Sequence, residues 1–162
     1  VLPLLPGSCS VLLKKELMRI PILGTAMRMG KFVPVERGHR REAAQASVAA
    51  AADALRSGLN ILVFPEGTRA KDGRLSIFKK GPFFLAQQTE APIVPIALSG
   101  TERMMRKGSI AITPGVAKVH LLPAIEPTQY ETREELLKAV RKAIADALPD
   151  EMKPEDYLTM AL

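Results

Sequence analysis

Asn60-Ile61-Leu62-Val63-Phe64-Pro65-Glu66-Gly67-Thr68-Arg69 is the stretch on which the fold is decided. The apolar run from Ile61 to Phe64 reads as a buried strand, and Pro65 and Gly67 stop it within three residues. A carboxylate, a glycine, a hydroxyl and a guanidinium then follow in four positions, at the strand end where α/β proteins place their ligands. Glycine permits close backbone approach, and the planar fork of Arg69 can hold two oxygens of one phosphate. A solvated Glu and Arg on a plain surface turn is the alternative reading of the same string.

Outward from this strand, short apolar runs alternate with helical stretches, as in a sheet covered by helices. Residues 10–14 and 31–36 are strand candidates, with Pro34 marking an edge or a bend. Residues 15–29 read as a short helix interrupted at Pro21 and Gly24. The alanine-rich stretch 40–57 is the cleanest helix, stopped by Gly58. Beyond the central turn, Pro82 fits the first turn of a helix running to about Thr89. Strands are expected over Ile93 to Leu98, 109–113 and 116–122, with Pro114-Gly115 as the turn between the last two. A helix from Glu131 to Leu148 is expected to be capped by Thr132, with Glu134 and Glu135 in its first turn, and Pro149 ends it. The expected architecture is α/β, a single domain with a mixed β-sheet flanked by helices over 1–148, followed by a weakly ordered tail over 149–162.

A chain of 162 residues with 47% hydrophobic and 25% charged residues can bury one sizeable core, and its composition excludes collagen, low-complexity arrays and wholesale disorder. Its net charge is +6, but the charge is unevenly placed: residues 1–81 hold 14 basic and 6 acidic side chains, residues 82–162 hold 9 and 11. An anionic partner is therefore expected to meet the first half. The single cysteine, Cys9, excludes an internal disulfide and a cysteine-rich metal site, and it reads as an inert buried thiol. Two isolated histidines, His39 and His120, form no paired-histidine metal motif, so no metal is expected; the first reads as a surface residue and the second as a strand histidine. Methionines 18, 27 and 29 lie at core-like spacing, or along an acyl-chain groove or bilayer. No apolar run reaches the roughly 18 residues of a spanning helix, and the opening stretch, broken by Pro3, Pro6 and Gly7, reads as neither anchor nor signal peptide. Val1 is not an initiator methionine, so the chain is expected to be a fragment or a processed product.

The block Phe64-Pro65-Glu66-Gly67-Thr68-Arg69 resembles the signature of the glycerophospholipid acyltransferase family, best known from its lysophosphatidate acyltransferases. Gly30-Lys31-Phe32-Val33-Pro34-Val35-Glu36-Arg37 resembles that family's second block, and Val94-Pro95-Ile96 its fourth. Lys14-Lys15-Glu16-Leu17 and Phe78-Lys79-Lys80-Gly81 stand in the matching order, and the likeness spans about residues 1–125. It implies a glycerolipid acyltransferase-like fold and an acceptor-phosphate site made by Arg37, Glu66, Gly67, Thr68 and Arg69, with Lys80 added or simply solvated. Pro95 is implied on the acyl-donor side, or is a buried strand proline. The proline of the signature leans toward lysophosphatidate over glycerol 3-phosphate as acceptor.

The family's first block, Asn-His-x4-Asp, supplies the general base, and no such block occurs in the 162 residues: five places after His39 stands Ala44, and five after His120 stands Ile125. Family order places it just upstream of Val1, so the chain alone is expected to be inactive. The implied reaction moves a fatty acyl group from acyl-CoA or acyl carrier protein, as co-substrate, to lysophosphatidate. It needs no other cofactor and takes place at the cytoplasmic face of a membrane. A non-catalytic lipid- or phosphate-binding remnant of the same fold is the second reading. A nucleic-acid-binding module is a third, disfavoured by 4% aromatic residues and the absence of tryptophan.

Overall fold

The alanine-rich helix is central to the first half of the computed structural model. The structure describes residues 9–14, 20–21, 24–25, 29, 33–35, 41–68, 70, 72–104 and 113–157. Contacts divide the chain into two compact units, Val1–Val63 and Phe64–Leu162.

In the first unit, strands β1 (Cys9–Lys14), β2 (Val33–Val35) and β3 (Asn60–Leu62) form a parallel sheet in the order β2-β1-β3. The early half of β1 pairs with β3 (Cys9 opposite Asn60, Val11 opposite Leu62), and its later half with β2 (Leu12 opposite Val33, Lys14 opposite Val35). Pro34 therefore sits on an edge strand, where its missing N–H costs no ladder bond. Parallel strands need a crossover, and helix α1 (Arg41–Arg56) supplies it, packing against both β2 and β3. Small side chains allow that close approach: Ala51 and Ala52 are each only 1% exposed. The helix stops where Gly58 adopts φ of +84° and Leu59 N–H donates back to the Ala54 carbonyl at 3.1 Å, a left-handed glycine stop of the kind expected. Most of 15–29 lies outside the described residues; within it, Gly24 N–H donates to the Ile20 carbonyl at 2.8 Å. Met29 is 82% exposed, so it is not a core methionine. Met18 and Met27 lie outside the described residues. Cys9 is half-buried, not buried as expected, because it opens β1 at the sheet's rim.

The second unit is built on helices α2 (Gly81–Thr89) and α4 (Arg133–Asp146), with a short α3 (Thr101–Met104) and an antiparallel pair, β4 (Ile96–Ser99) and β5 (Lys118–Leu121). Ile96 faces Leu121 and Ser99 faces Lys118 across that pair, and a further bridge joins Ile93 to Ile125. The ladder is thus shorter than the run from Ile93 expected from sequence, because Pro95 has no N–H to donate. The strand expected over 109–113 falls almost wholly outside the described residues.

The core of this unit gathers Phe78, Phe83, Ala86, Ala97, Leu136, Val140, Ile144 and Leu148. Leu136, Val140 and Ile144 recur every fourth residue along α4, which makes one apolar stripe on a 3.6-residue helix, and Leu148 continues it just past the helix end. Thr132 caps α4 as expected: its hydroxyl accepts Glu135 N–H at 3.2 Å and the Glu135 carboxylate accepts Thr132 N–H at 3.2 Å.

The weakly ordered tail expected after Pro149 is corrected for residues 150–157. A 3₁₀ turn spans Asp150–Met152, Leu75 N–H donates to the Met152 carbonyl at 2.9 Å, and the Tyr157 hydroxyl donates to Asp146 at 2.8 Å. The polar composition concealed partners that lie far away in sequence.

Candidate functional site

After β3 the chain turns sharply at Pro65-Glu66-Gly67-Thr68. Gly67 N–H donates to the Phe64 carbonyl at 3.0 Å, and Gly67 adopts φ of +71°, a left-handed conformation that side-chain-bearing residues rarely take. The turn is held from the far side by Lys79 N–H, which donates to the Pro65 carbonyl at 2.7 Å. The Glu66 carboxylate does not point outward as a free anion. It accepts Ser76 N–H at 2.8 Å in a half-buried position, closing the intervening loop upon itself. Within that loop, Asp72 accepts Arg74 N–H at 3.0 Å, an Asx-type turn that the sequence Asp72-Gly73 favours.

Glu66 and Thr68 line an open cleft of about 550 Å³ within the second unit. Its described lining also includes the cations Arg74, Lys79 and Arg141 and the acids Asp72, Glu155 and Asp156. The lysine at the cleft is Lys79. The Lys80 ammonium instead donates to the Glu134 carboxylate at 2.7 Å, on an exposed surface near the start of α4. That hydrogen bond holds the Glu134 carboxyl below the usual carboxylate range. Arg37 and Arg69 lie outside the described residues. Pro95 is buried just before β4, where its carbonyl accepts Leu122 N–H at 3.0 Å. This is the backbone part open to a strand proline. His120 is exposed on β5 opposite Ala97, as a strand histidine should be, and His39 lies outside the described residues.

Three residues at this site were not singled out from sequence. Ser76 supplies the N–H that Glu66 accepts. Arg141, 8% exposed, donates through its two terminal nitrogens to both oxygens of Asp156 at 2.8 and 2.9 Å. Hydrogen bonding to that guanidinium holds the Asp156 carboxyl below its ordinary value. A signal for Arg141 existed: it interrupts the apolar positions of α4, beside Val140 and three before Ile144. No comparable signal marked Asp156 or Ser76.

The described geometry is therefore a glycine turn, a hydroxyl and an exposed ammonium arranged around one cleft, with the turn's carboxylate occupied in holding the loop. Such a cleft can accept hydrogen bonds from, and donate them to, a phosphate-sized group. Residues 2–99 match a family model described as acyltransferase. The chain is 31% identical over 153 residues to the 1-acyl-sn-glycerol-3-phosphate acyltransferase of Cocos nucifera, covering 93% of this chain and 50% of that protein. It is 34% identical over 143 residues to the like-named protein of Limnanthes douglasii, covering 87% and 51%. Among solved structures it is similar to the 1-acyl-sn-glycerophosphate acyltransferase of Thermotoga maritima, with a TM-score of 0.75, 28% identity, and coverage of 87% of this chain and 56% of that one. The chain spans about half the length of the curated relatives it matches.

Proposed function

Because the chain belongs to the acyltransferase family, we propose that the protein transfers a fatty acyl group from acyl-CoA or acyl carrier protein to the free hydroxyl of lysophosphatidate, giving phosphatidate. The observation that carries this reading is the turn after β3, where left-handed Gly67 brings Glu66 and Thr68 to the same cleft as Lys79. The names of the relatives in Cocos and Limnanthes support the choice of acceptor.

The division of labour follows from charge. A phosphomonoester carries a charge close to −2 near neutral pH. Lys79 at the cleft, and Arg69 as the family resemblance implies, meet that charge, with Thr68 able to donate to a phosphate oxygen. Glu66, itself anionic, cannot attract phosphate directly; it serves by fixing the loop through Ser76. Holding the phosphate places the acceptor hydroxyl against the thioester, and such positioning is a recognised source of rate. The hydroxyl oxygen then attacks the thioester carbonyl, the new C–O ester bond forms, the C–S bond breaks, and the thiolate leaves and takes up a proton. The base that receives the hydroxyl proton is assigned to an Asn-His-x4-Asp block, which is not among these 162 residues.

A lipid acceptor supports a membrane surface as the place of reaction, and we propose its cytoplasmic face. Among the described residues no helix is long and apolar enough to cross one. The test is expression of the full-length protein and assay of labelled acyl-CoA and labelled acyl carrier protein with lysophosphatidate. Labelled phosphatidate is expected from at least one donor. Saturable lysophosphatidate binding without turnover would instead identify a non-catalytic lipid-binding protein of this fold.

A further inference from the structure

We propose that Arg141 and Asp156 are positioning residues that hold the loop between Glu66 and Ser76 at the cleft and so set the affinity for the acceptor's phosphate. The proposal rests on the reading of that cleft as the phosphate site.

The contacts form a continuous relay within the second unit. Asp156 orients the Arg141 guanidinium through both of its oxygens, at 2.8 and 2.9 Å. The Nε–H of Arg141 donates to the Ser76 carbonyl at 3.4 Å. On the other side of the same residue, Ser76 N–H donates to Glu66 at 2.8 Å. Glu66 adjoins Gly67 and Thr68. Two more links tie the loop's end to the segment after α4: Leu75 N–H to the Met152 carbonyl at 2.9 Å, and the Arg74 guanidinium to the Lys153 carbonyl at 3.3 Å.

Geometry is what this relay supplies. A bidentate carboxylate fixes both the plane and the rotation of a guanidinium, so its Nε–H points in one direction only. An ion pair between a buried guanidinium and a carboxylate that is half exposed adds modest net stability, because desolvation of the arginine and solvent screening of the aspartate offset much of the attraction. The apolar stripe Leu136, Val140 and Ile144 of α4, with Leu148 just beyond it, belongs to the core cluster, which does not include the pair. Losing Asp156 removes the two bonds that fix the plane of the Arg141 guanidinium, which loosens its hold on Ser76 and, through Ser76, on Glu66 at the cleft. A lysine at 141 keeps the charge and lacks the fork.

The experiment uses the full-length protein, its Asp156→Asn variant and its Arg141→Lys variant, with lysophosphatidate and acyl-CoA varied separately. The Asp156 side chain is about half exposed, so the near-isosteric asparagine variant is expected to fold even if the lysine variant does not. The expected result in both is a rise in KM for lysophosphatidate of about tenfold, with kcat and the donor KM within about twofold. Amide exchange at Leu75 and Ser76 should accelerate by about tenfold, while Leu136 and Val140 stay protected. An unchanged acceptor KM overturns the proposal, as does a loss of kcat with both KM values unchanged. Should the parent protein not acylate lysophosphatidate, the functional reading fails by itself, and unchanged exchange at Leu75 and Ser76 in Asp156→Asn would separately refute the relay.

Discussion

Alanine substitution at two left-handed glycines should have very different costs, and the difference can be worked from the structure. Gly67 has φ of +71°, and a Cβ built there meets nothing closer than the flexible Lys79 Cγ at 3.5 Å. Its cost is therefore backbone strain alone, roughly 1–2 kcal/mol, reduced by about 0.4–1 kcal/mol because alanine also restricts the unfolded chain. Gly100 has φ of +90°, and a Cβ there runs into the Val116 carbonyl oxygen, a backbone atom that cannot swing away. Strain and unfolded-chain offset are the same there, and the roughly 1–3 kcal/mol of an overpacked site raises the cost by about 2 kcal/mol over that of Gly67→Ala. The assay follows from composition: the chain has no tryptophan, and both of its tyrosines, Tyr130 and Tyr157, lie in the second unit with both glycines. Urea unfolding followed by tyrosine fluorescence thus reports on the relevant unit. A gap of about 2 kcal/mol should separate the two midpoints by about 1–2 M urea. Equal midpoints would refute the reasoning that space, and not φ alone, decides the cost. A loss of acyl transfer in Gly67→Ala at full folding would then belong to the displaced Thr68.

Other expectations follow from single contacts. Leu136→Ala, at a fully buried position between α4 and the rest of its core, should cost about 2–5 kcal/mol in the same urea assay. Thr132→Ala removes one half of the capping box and should cost about 1 kcal/mol, with the loss of helicity confined to the first turn of α4 by amide exchange. Asp156, Asp146 and Asp150 all have carboxyls held below their ordinary value, chiefly by hydrogen bonds to Arg141, Lys142 and Lys153 respectively. A lowered folded pKa contributes stability above the unfolded value that is lost as pH falls through the folded one, so the second unit should weaken below about pH 4. Asp156→Asn should flatten that acid limb in a tyrosine-fluorescence pH titration more than Asp150→Asn does, since Asp156 faces a buried guanidinium.

Local chemistry explains what was legible in the sequence. The stop of α1 at Gly58, the Thr132 cap and the turn at Pro65-Glu66-Gly67 each depend on residues adjacent in the chain, so the string alone specifies them. Pro34 on an edge strand and Pro82 at the start of α2 are readable for the same reason. What escaped was tertiary. Glu66 looked like a ligand group because its partner, Ser76, is ten residues away and contributes only a backbone N–H, which no side chain advertises. Lys79 and Lys80 are equivalent in the sequence, and only the position of Glu134 on α4 draws the second one away from the cleft. The segment after Pro149 looked loose because its anchors, Arg141, Asp146 and Leu75, belong to other elements.

The central claim is that the turn after β3 serves a phosphate-bearing lipid acceptor. Its most direct test compares kcat/KM of the full-length protein for lysophosphatidate and for a monoacylglycerol of the same chain, which differs only in lacking the phosphate. Two charge-assisted contacts predict a preference for lysophosphatidate of about a hundredfold or more, and its reduction in an Arg69→Met variant. Equal use of the two acceptors by the parent protein would contradict the account.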